Sequence, residues 1–526
     1  MEYGTAASLY SDLESDRNSY LHRARDCAKL TIPMLFPDEG TTSATAFAYP
    51  FQGLGARGVN HLASSLLMSL LPPNQPFFRL VLDEEAVRQL QGMDEYKTEI
   101  DQTLSSIERA VVQEIETMAI RPVVHAALKQ LIVAGNCLVF VDERKMRTFP
   151  LDQYVVKRDP SGNILHIVVC ESISPSALPP EAKEAVAQKE PKSSHDNSLE
   201  LFTCIHRKDD GRYEVYQEIE GVVLEDTRGS YSEDSMPWLA LRMNRVDGES
   251  YGRSYVEEYL GDLRSLEGLT QAIVEGSAAM AKVLFLVNPN GLTRPEVLAR
   301  SPNGAIREGM ATDVTVVQVQ KQADLGVAFQ TVGAIRERLN YAFLLAESTI
   351  RDAERVTAEE VRLTTAAVER QLGGIYSVLS QEFQLPLVNR LLDVMSKAKR
   401  LPKVPKQYVK PLIVTGVDAL GRGNDLQKLD AFLAGIQQTL GPEAVARFVN
   451  VSEYMARRAA ALGIDPKGLV RTEEDMAAEA QNEQAMAMTQ KLGGPAINAI
   501  SKGVTEGSLD PSQLANAASM MTQAQQ

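Results

Sequence analysis

Several absences in this 526-residue sequence narrow its chemistry before any positive signal is read. The four cysteines, Cys27, Cys137, Cys170 and Cys204, are widely spaced with no CxxC, which argues against both a zinc site and a disulfide framework. Reduced thiols of the kind kept in a cytoplasm are the expectation. No Gly-Lys pair occurs, so the chain lacks a P-loop and is not expected to act as a nucleotide-driven motor. The six histidines show neither HExxH nor HxE spacing and GxSxG is missing, so no catalytic residue, metal ligand or cofactor is expected. One tryptophan and 6% aromatics argue against a specialist for carbohydrates or aromatic ligands. The N-terminus carries Asp12, Glu14, Asp16 and Arg17 where a signal peptide would be apolar. The longest apolar run, Leu62 to Leu71, is about half a membrane span and stops at Pro72-Pro73. Neither a cleavable signal nor membrane insertion is therefore expected.

Positive charge is in deficit too. Fifty-four basic side chains against sixty-nine acidic ones give a net charge of -15, the opposite of a protein that grips phosphates tightly, so any contact with DNA must be local. With 44% hydrophobic and 23% charged residues, the composition is that of an ordinary globular protein, and its length suggests three or four units at about 150 residues each.

Periodicity supplies the elements. Ser11-Asp-Leu-Glu14 has capping-box spacing and predicts a helix through about Leu30, ending before Pro33. Residues 54–70 and 98–134 read as helices, the latter broken near Arg121-Pro122. From Cys137 short runs of β-branched and aromatic residues predict strands at Leu138–Val141, Tyr154–Lys157 and Ile164–Cys170, with a turn at Asp159–Asn163. A second hairpin is expected around Glu220-Gly221, and 174–197 reads as a surface excursion. Helical spacing returns at 255–282 and 325–346, flanking a proline- and glycine-bearing, strand-ended insert at 283–324. Thr357-Ala-Glu-Glu360 caps a long helix reaching Met395, in which Gly373-Gly374 costs roughly 2 kcal/mol of propensity and Pro386 removes a donor, so a kink is expected. A linker with Pro402, Pro405 and Pro411 leads to a helical segment at roughly 424–461. The Ala-, Gln-, Met- and Ser-rich stretch beyond about Thr472 is a candidate for partial disorder.

Three local patterns invite a functional reading. Gly53-Leu-Gly55-Ala-Arg-Gly58 before a helix, with Asp83 some way on, matches GxGxxG literally. A dinucleotide site also needs a buried strand leading into the first glycine, but Thr41 to Gln52 is polar and holds Pro50, so helix packing or a turn is the favoured role. Arg351, Asp352 and Arg355 lie in a dense mixed-charge stretch that is either a solvated helix end or a loop facing DNA. Lys397, Lys399, Arg400, Lys403, Lys406 and Lys410 occupy a run without acids, suited to a helix C-terminus or to an anionic partner.

Longer blocks carry a resemblance. Thr31-Ile-Pro-Met-Leu-Phe36, Gly55-Ala-Arg-Gly58 with Asn60, Leu128–Asn136, Asp247-Gly-Glu-Ser-Tyr-Gly-Arg-Ser-Tyr255 running on to Glu267, Leu286-Val-Asn-Pro289, Glu354–Glu360 and Leu379–Val388 follow one another in order. From about Tyr10 to about Ile464 the chain resembles the head-tail connector (portal) family of short-tailed double-stranded DNA phages. The resemblance implies an α+β, predominantly helical, multi-domain portal fold with wing, stem, clip and crown. Twelve copies would form a ring at one capsid vertex of the virion, after assembly in the host cytoplasm. It implies a wing at 1–254, stem helices at 255–282 and 325–346, and a clip at 283–324. A tunnel loop would follow at 347–356, a long kinked wing helix with linker at 357–411, a crown at 412–465 and a tail at 466–526. Implied partners are other copies of the chain, DNA passing through the channel, the terminase, the tail adaptor, the major capsid and scaffolding proteins, and internal core proteins. Arg351, Asp352 and Arg355 become channel candidates, Asn288, Arg294, Arg300 and Arg307 candidates for contact with the adaptor, and Gly373 and Gly374 the helix kink. Competing expectations are a nucleotide-binding enzyme using residues 53–58 and a non-portal structural capsid protein.

Overall fold

The computed structural model describes residues 4–73 (apart from 43), 77–82, 94–178, 199–280, 284–317, 322–345, 370–401, 409–413 and 421–441, together with Arg88, Val449, Tyr454, Met455 and Arg458. Its contacts define two units, Met1–Gly421 and Arg422–Gln526. The fold mixes helices with antiparallel sheets.

Helix α1 spans Ala6–Lys29, starting five residues before the expected cap. Thr5 takes the capping role, its hydroxyl accepting the Ser8 N–H at 3.2 Å, because the first turn buries Ala6 and Leu9 and the Ala6 N–H donates to the buried Glu218 carboxylate at 2.9 Å. Glu14, of the expected box, pairs with the buried Arg17 instead. Helices α2 (Leu54–Leu70), α3 (Asp94–Thr117) and α4 (Ile120–Ala134) follow. The expected break between the last two falls at Ala119, in the left-handed region at φ 50°, and Pro122 lies in the first turn of α4, where a missing N–H costs nothing. Gly135 ends α4 at φ 77°, and a Cβ there would lie 2.4 Å from the Arg253 carbonyl carbon, so only glycine fits.

Strand β1 (Phe78–Leu82) lies apart from the main sheets. Strands β2 (Asn136–Val141), β3 (Met146–Phe149) and β9 (Trp238–Arg242) form an antiparallel sheet ordered β3-β2-β9. A meander of β4 (Tyr154–Arg158), β5 (Ile164–Ile173), β6 (Leu199–Arg207), β7 (Tyr213–Ile219) and β8 (Val222–Tyr231) forms the largest sheet, and the N-terminal half of α1 packs on it through Ala6, Leu9, Val155, Val168 and Phe202.

Beyond these sheets, short helix α5 (Tyr255–Glu258) leads into α6 (Leu260–Met280), so the segment expected as one helix from 255 breaks at Tyr259. Strands β10 (Leu284–Val287) and β11 (Val314–Val317) pair antiparallel, with helix α7 (Pro295–Ala299) between them. Helix α8 (Gln322–Ala342) packs back on α6 and stops four residues short of the expected end. The chain turns at Leu344, φ 59°, where Phe343, Leu344 and Leu345 are drawn into the core and the Tyr255 hydroxyl donates to the Ala342 carbonyl at 2.8 Å.

The long helix is described from residue 370, and its α-pattern runs unbroken through Gly373 and Gly374 to 379. The irregularity is a π-turn at Ser380–Gln384, in which the Leu385 N–H reaches back five residues to the Ser380 carbonyl, and α9 (Leu385–Lys397) follows. Pro386, with no N–H of its own, stands at the edge of this wider turn, which is the departure from α geometry among the described residues of this helix. Strand β12 (Val409–Ile413) pairs antiparallel with β1, within the first unit. Helix α10 (Gly421–Leu440) follows. One continuous hydrophobic core joins α1 to α4, the β2 sheet, the base of α6, the end of α8, and residues 372–395.

Candidate functional site

Among the described residues, the helical pair α6 and α8 with its strand-ended insert leaves much apolar surface uncovered. Leu263 and Leu266 of α6 and Ile335 and Leu339 of α8 are buried near the base, where Arg338 also donates to Asp262 at 2.7 Å. Farther out, Val274, Val327 and Phe329 are exposed, and so is Tyr341 near the end of α8. Between 266 and 280 the charges are Glu267 and Glu275, and between 322 and 335 only Asp324. Surfaces this apolar on a thin helical pair mark contact with another macromolecule.

At the base, Glu267 of α6 accepts the backbone N–H groups of Phe51 and Gln52 at 2.8 and 3.1 Å. The Gln52 side chain then bridges the α1 and α2 ends, donating to the Leu30 carbonyl at 2.7 Å and accepting the Gly55 N–H at 2.8 Å. The GxGxxG segment is thereby explained by packing. A Cβ on Gly55 would lie 2.3 Å from the Leu30 carbonyl oxygen, and one on Gly58 would lie 2.6 Å from the Phe343 ring. Residues 44–50 form no strand, and β1 runs antiparallel to its partner, so the frame a dinucleotide site needs is missing from these described residues.

The insert is organised around Asp313, a buried carboxylate that accepts the N–H groups of Leu292 and Thr293 at 2.9 and 3.1 Å and the Thr293 hydroxyl at 3.0 Å. Asn288 closes the ring of bonds by donating its N–H to the Asp313 carbonyl at 2.8 Å. Of the expected contact residues, Asn288 also accepts the Asn290 N–H through its side chain, at 3.0 Å. Arg294, Arg300 and Arg307 are exposed, and Arg307 donates to Ser301 at 3.2 Å. Arg351, Asp352 and Arg355 lie outside the described residues.

A further polar set, which the sequence reading missed, fixes the long helix to the β2–β9 sheet and to α2. Glu382, in the π-turn, accepts from the Arg242 backbone N–H at 3.1 Å and from its guanidinium. Gln384 donates to the Leu70 carbonyl at 2.6 Å, Tyr376 to that of Ser69 at 3.2 Å, and Arg390 to that of Val141 at 3.1 Å. A charged residue at a buried helix position was the available signal. The basic run after α9 is partly consumed internally: Lys397 pairs with Asp393, and Arg400 grips both oxygens of Glu114 at 2.8 and 2.9 Å.

Burial pushes the Cys27 thiol up to about 12 and those of Cys170 and Cys204 to about 11, and raises Cys137 further, so none supplies a thiolate near neutral pH. Among the described residues no group of three His, Cys, Asp or Glu could hold a metal, and no helix is long and apolar enough to cross a membrane. In the second unit, Tyr454 and Arg458 border an open cavity of about 440 Å³, but their polar groups bond to Asp430 and to one another.

A family model described as bacteriophage head to tail connecting protein matches residues 3–470. The chain belongs to that family. Among its relatives, the portal protein of Escherichia phage T7 is 40% identical over 499 residues, covering 94% of this chain and 92% of its own. The portal protein of Enterobacteria phage T3 is 40% identical over 510 residues, 95% of each chain, and that of Enterobacteria phage SP6 is 29% identical over 519 residues, 96% of this chain and 99% of its own. In this head-to-tail connecting protein, then, the features that call for a role are surfaces: the open helical pair and the projecting insert.

Proposed function

We propose that the chain is the portal protein of a short-tailed double-stranded DNA phage, a structural ring subunit at one vertex of the virion through which DNA enters and leaves. The observation that carries this reading is the family match over residues 3–470, supported by portal-protein relatives of nearly equal length. In this reading twelve copies form the ring. Residues 1–254 with the segment 357–411 build the wing, α6 and α8 the stem, 283–324 the clip, and 412–465 the crown, followed by a tail at 466–526. The apolar faces of α6 and α8 are covered by neighbouring copies, as a closed ring with a two-sided interface requires. The clip meets the terminase during packaging and the tail adaptor afterwards, and the wing meets capsid, scaffolding and internal core proteins. The protein breaks no bond, because ATP hydrolysis belongs to the terminase. A net charge of -15 suits a channel that must not hold the duplex, with Arg351 and Arg355 as local cationic belts.

Electron microscopy and a mass measurement of the purified protein test this. Rings of about twelve chains are expected. A monomer carrying a bound dinucleotide would overturn the proposal in favour of a nucleotide-binding enzyme, and an extended, ringless particle would favour another kind of capsid protein.

A further inference from the structure

The run of cations at and after the end of α9, which the portal reading leaves without a role, belongs to a corner of the fold where α3, β1, α9 and β12 pack together. Between Asp393 and Asp418 the sequence holds six cations and no acid. The corner sorts its charges by sign. Glu108 and Glu114 of α3 and Asp393 of α9 are buried, and each is occupied: Glu108 accepts the Leu80 N–H at 2.9 Å, Glu114 binds Arg400, and Asp393 is reached by Lys397 at 2.8 Å and by Arg390 at 3.5 Å. Arg109, Lys397, Lys399 and Arg400 are exposed. Glu116, exposed on the same stretch of α3, bonds to Arg121 at 2.6 Å.

The backbone adds a second observation at Lys399. Helix α9 ends in a Schellman turn, with the Arg400 N–H donating to the Met395 carbonyl and the Lys399 N–H to that of Ser396, both at 3.0 Å. That turn puts Lys399 at φ 55°, in the left-handed region where glycine is the usual occupant and a side chain costs conformational energy. The helix dipole accounts for a cation in the last turn, such as Lys397, and falls off beyond it. The neighbouring carboxylates are committed to Lys397 and Arg400, so neither backbone preference nor an internal ion pair accounts for a lysine here.

From Ser396 to Arg400 the exposed side chains include nothing apolar beyond Ala398, so the anchor that would hold a protein face is missing from this stretch. Flexible ammonium groups above buried acids suit phosphates, which they meet as point charges without reading sequence. We infer that the solvent-facing corner at Arg109, Lys397 and Lys399 binds the phosphate backbone of duplex DNA outside the channel. The inference rests on the portal reading for its setting: repeated around a ring, the corner becomes a cationic track separate from any belt in the tunnel.

The test mixes assembled rings of the full chain with a covalently closed circular duplex, which has no end to thread and so cannot report on the channel. Binding is measured between about 50 and 200 mM salt, and wild-type affinity should fall steeply across that range. Each phosphate contact contributes about 0.9 to the slope of log affinity against log salt, so R109Q/K397Q/K399Q should lower the slope by about 2 to 3 and weaken binding about ten-fold or more at low salt. K399G should lower the slope by about 1 while raising the thermal midpoint, a pair of effects that a merely structural lysine would not give. Rings that leave the circle unbound, or variants with an unchanged slope, would overturn the inference. So would a K399G chain with a lowered midpoint, or polyglutamate held more tightly than the duplex, which would make an acidic protein the partner. A wild-type chain that forms no rings would remove the portal reading, whereas circle binding by the single chain that weakens in K399G would leave this site standing.

Discussion

Glu382 is the residue on which the junction between the long helix and the sheets depends. The Arg242 side chain it pairs with is only 3% exposed, and a second guanidinium, Arg158, lies close by with three carbonyl partners, Ser250, Gly162 and Ala240, and no carboxylate bonded to it. Burial, and then the neighbouring Arg242 charge, pull the Arg158 guanidinium down to about 10, with Glu382 acting in the opposite direction. One carboxylate thus offsets two buried cations. Glu382→Gln should lower stability by about 3 kcal/mol, because a buried guanidinium left without its counter-ion is costly, whereas E382L/R242M should lose less than either single change. The apparent thermal midpoint of the purified protein reads this, and a double variant less stable than both singles would show that hydrogen-bond geometry, not charge, holds the junction.

At the scale of elements, the π-turn at Ser380–Gln384 lies beside Pro386, one of the two features from which a kink was expected, and the glycine pair is the other. Alanine in place of Gly373 or Gly374 would touch nothing within 4 Å, and both positions are α-helical. Each substitution should therefore stabilise the helix by about 1 kcal/mol and leave DNA packaging unchanged, which a thermal melt and a packaging assay would read; lost packaging with raised stability would restore the glycines as a hinge. Much of this level was legible in sequence because period and turn chemistry are local. The helix at 54–70, the hairpin across Asp159–Asn163, and the strand-ended insert between two helices all follow from residues within reach of one another. What was not legible depended on distant partners. The α1 start was moved by Glu218, 212 residues away, and β6 and β9 were missed although β9 is a run of five buried residues, because such short apolar stretches fit either helix or strand. In the insert between β10 and β11, the three arginines were evident as charges, but the pinning role of Asp313 needed coordinates, since nothing in its spacing announces a buried acceptor. The end of α8 shifted for a related reason: Phe343 turns inward onto Gly58, a contact between residues 285 positions apart that periodicity does not encode.

For the whole molecule, the main tension is between an acidic chain and a polyanionic cargo. In the portal reading, Arg351 and Arg355 repeat around the ring, so a modest charge per subunit becomes a belt. Phosphate contacts carry no sequence information and screening at physiological ionic strength extends only about 8 Å, so their effect should be independent of DNA sequence and fade with salt. R351Q/R355Q should leave ring assembly intact and reduce retention of packaged DNA; packaged length and retention equal to wild type across a salt series would reduce both arginines to surface ion pairs worth about 0 to 1 kcal/mol. The pairing of β1 with β12 bears on how such a subunit is made. Phe78–Leu82 finds its strand partner in Val409–Ile413, about 330 residues later, and in the folded chain its Leu80 N–H is held on the other side by Glu108. A ribosome adding about 5–20 residues per second needs on the order of tens of seconds to bridge that gap. Throughout that interval the nascent chain carries an unclosed edge strand, so the first unit can be completed only after Ile413 has been made, and a chain cut short before residue 409 would reach the assembly pool with that edge still open.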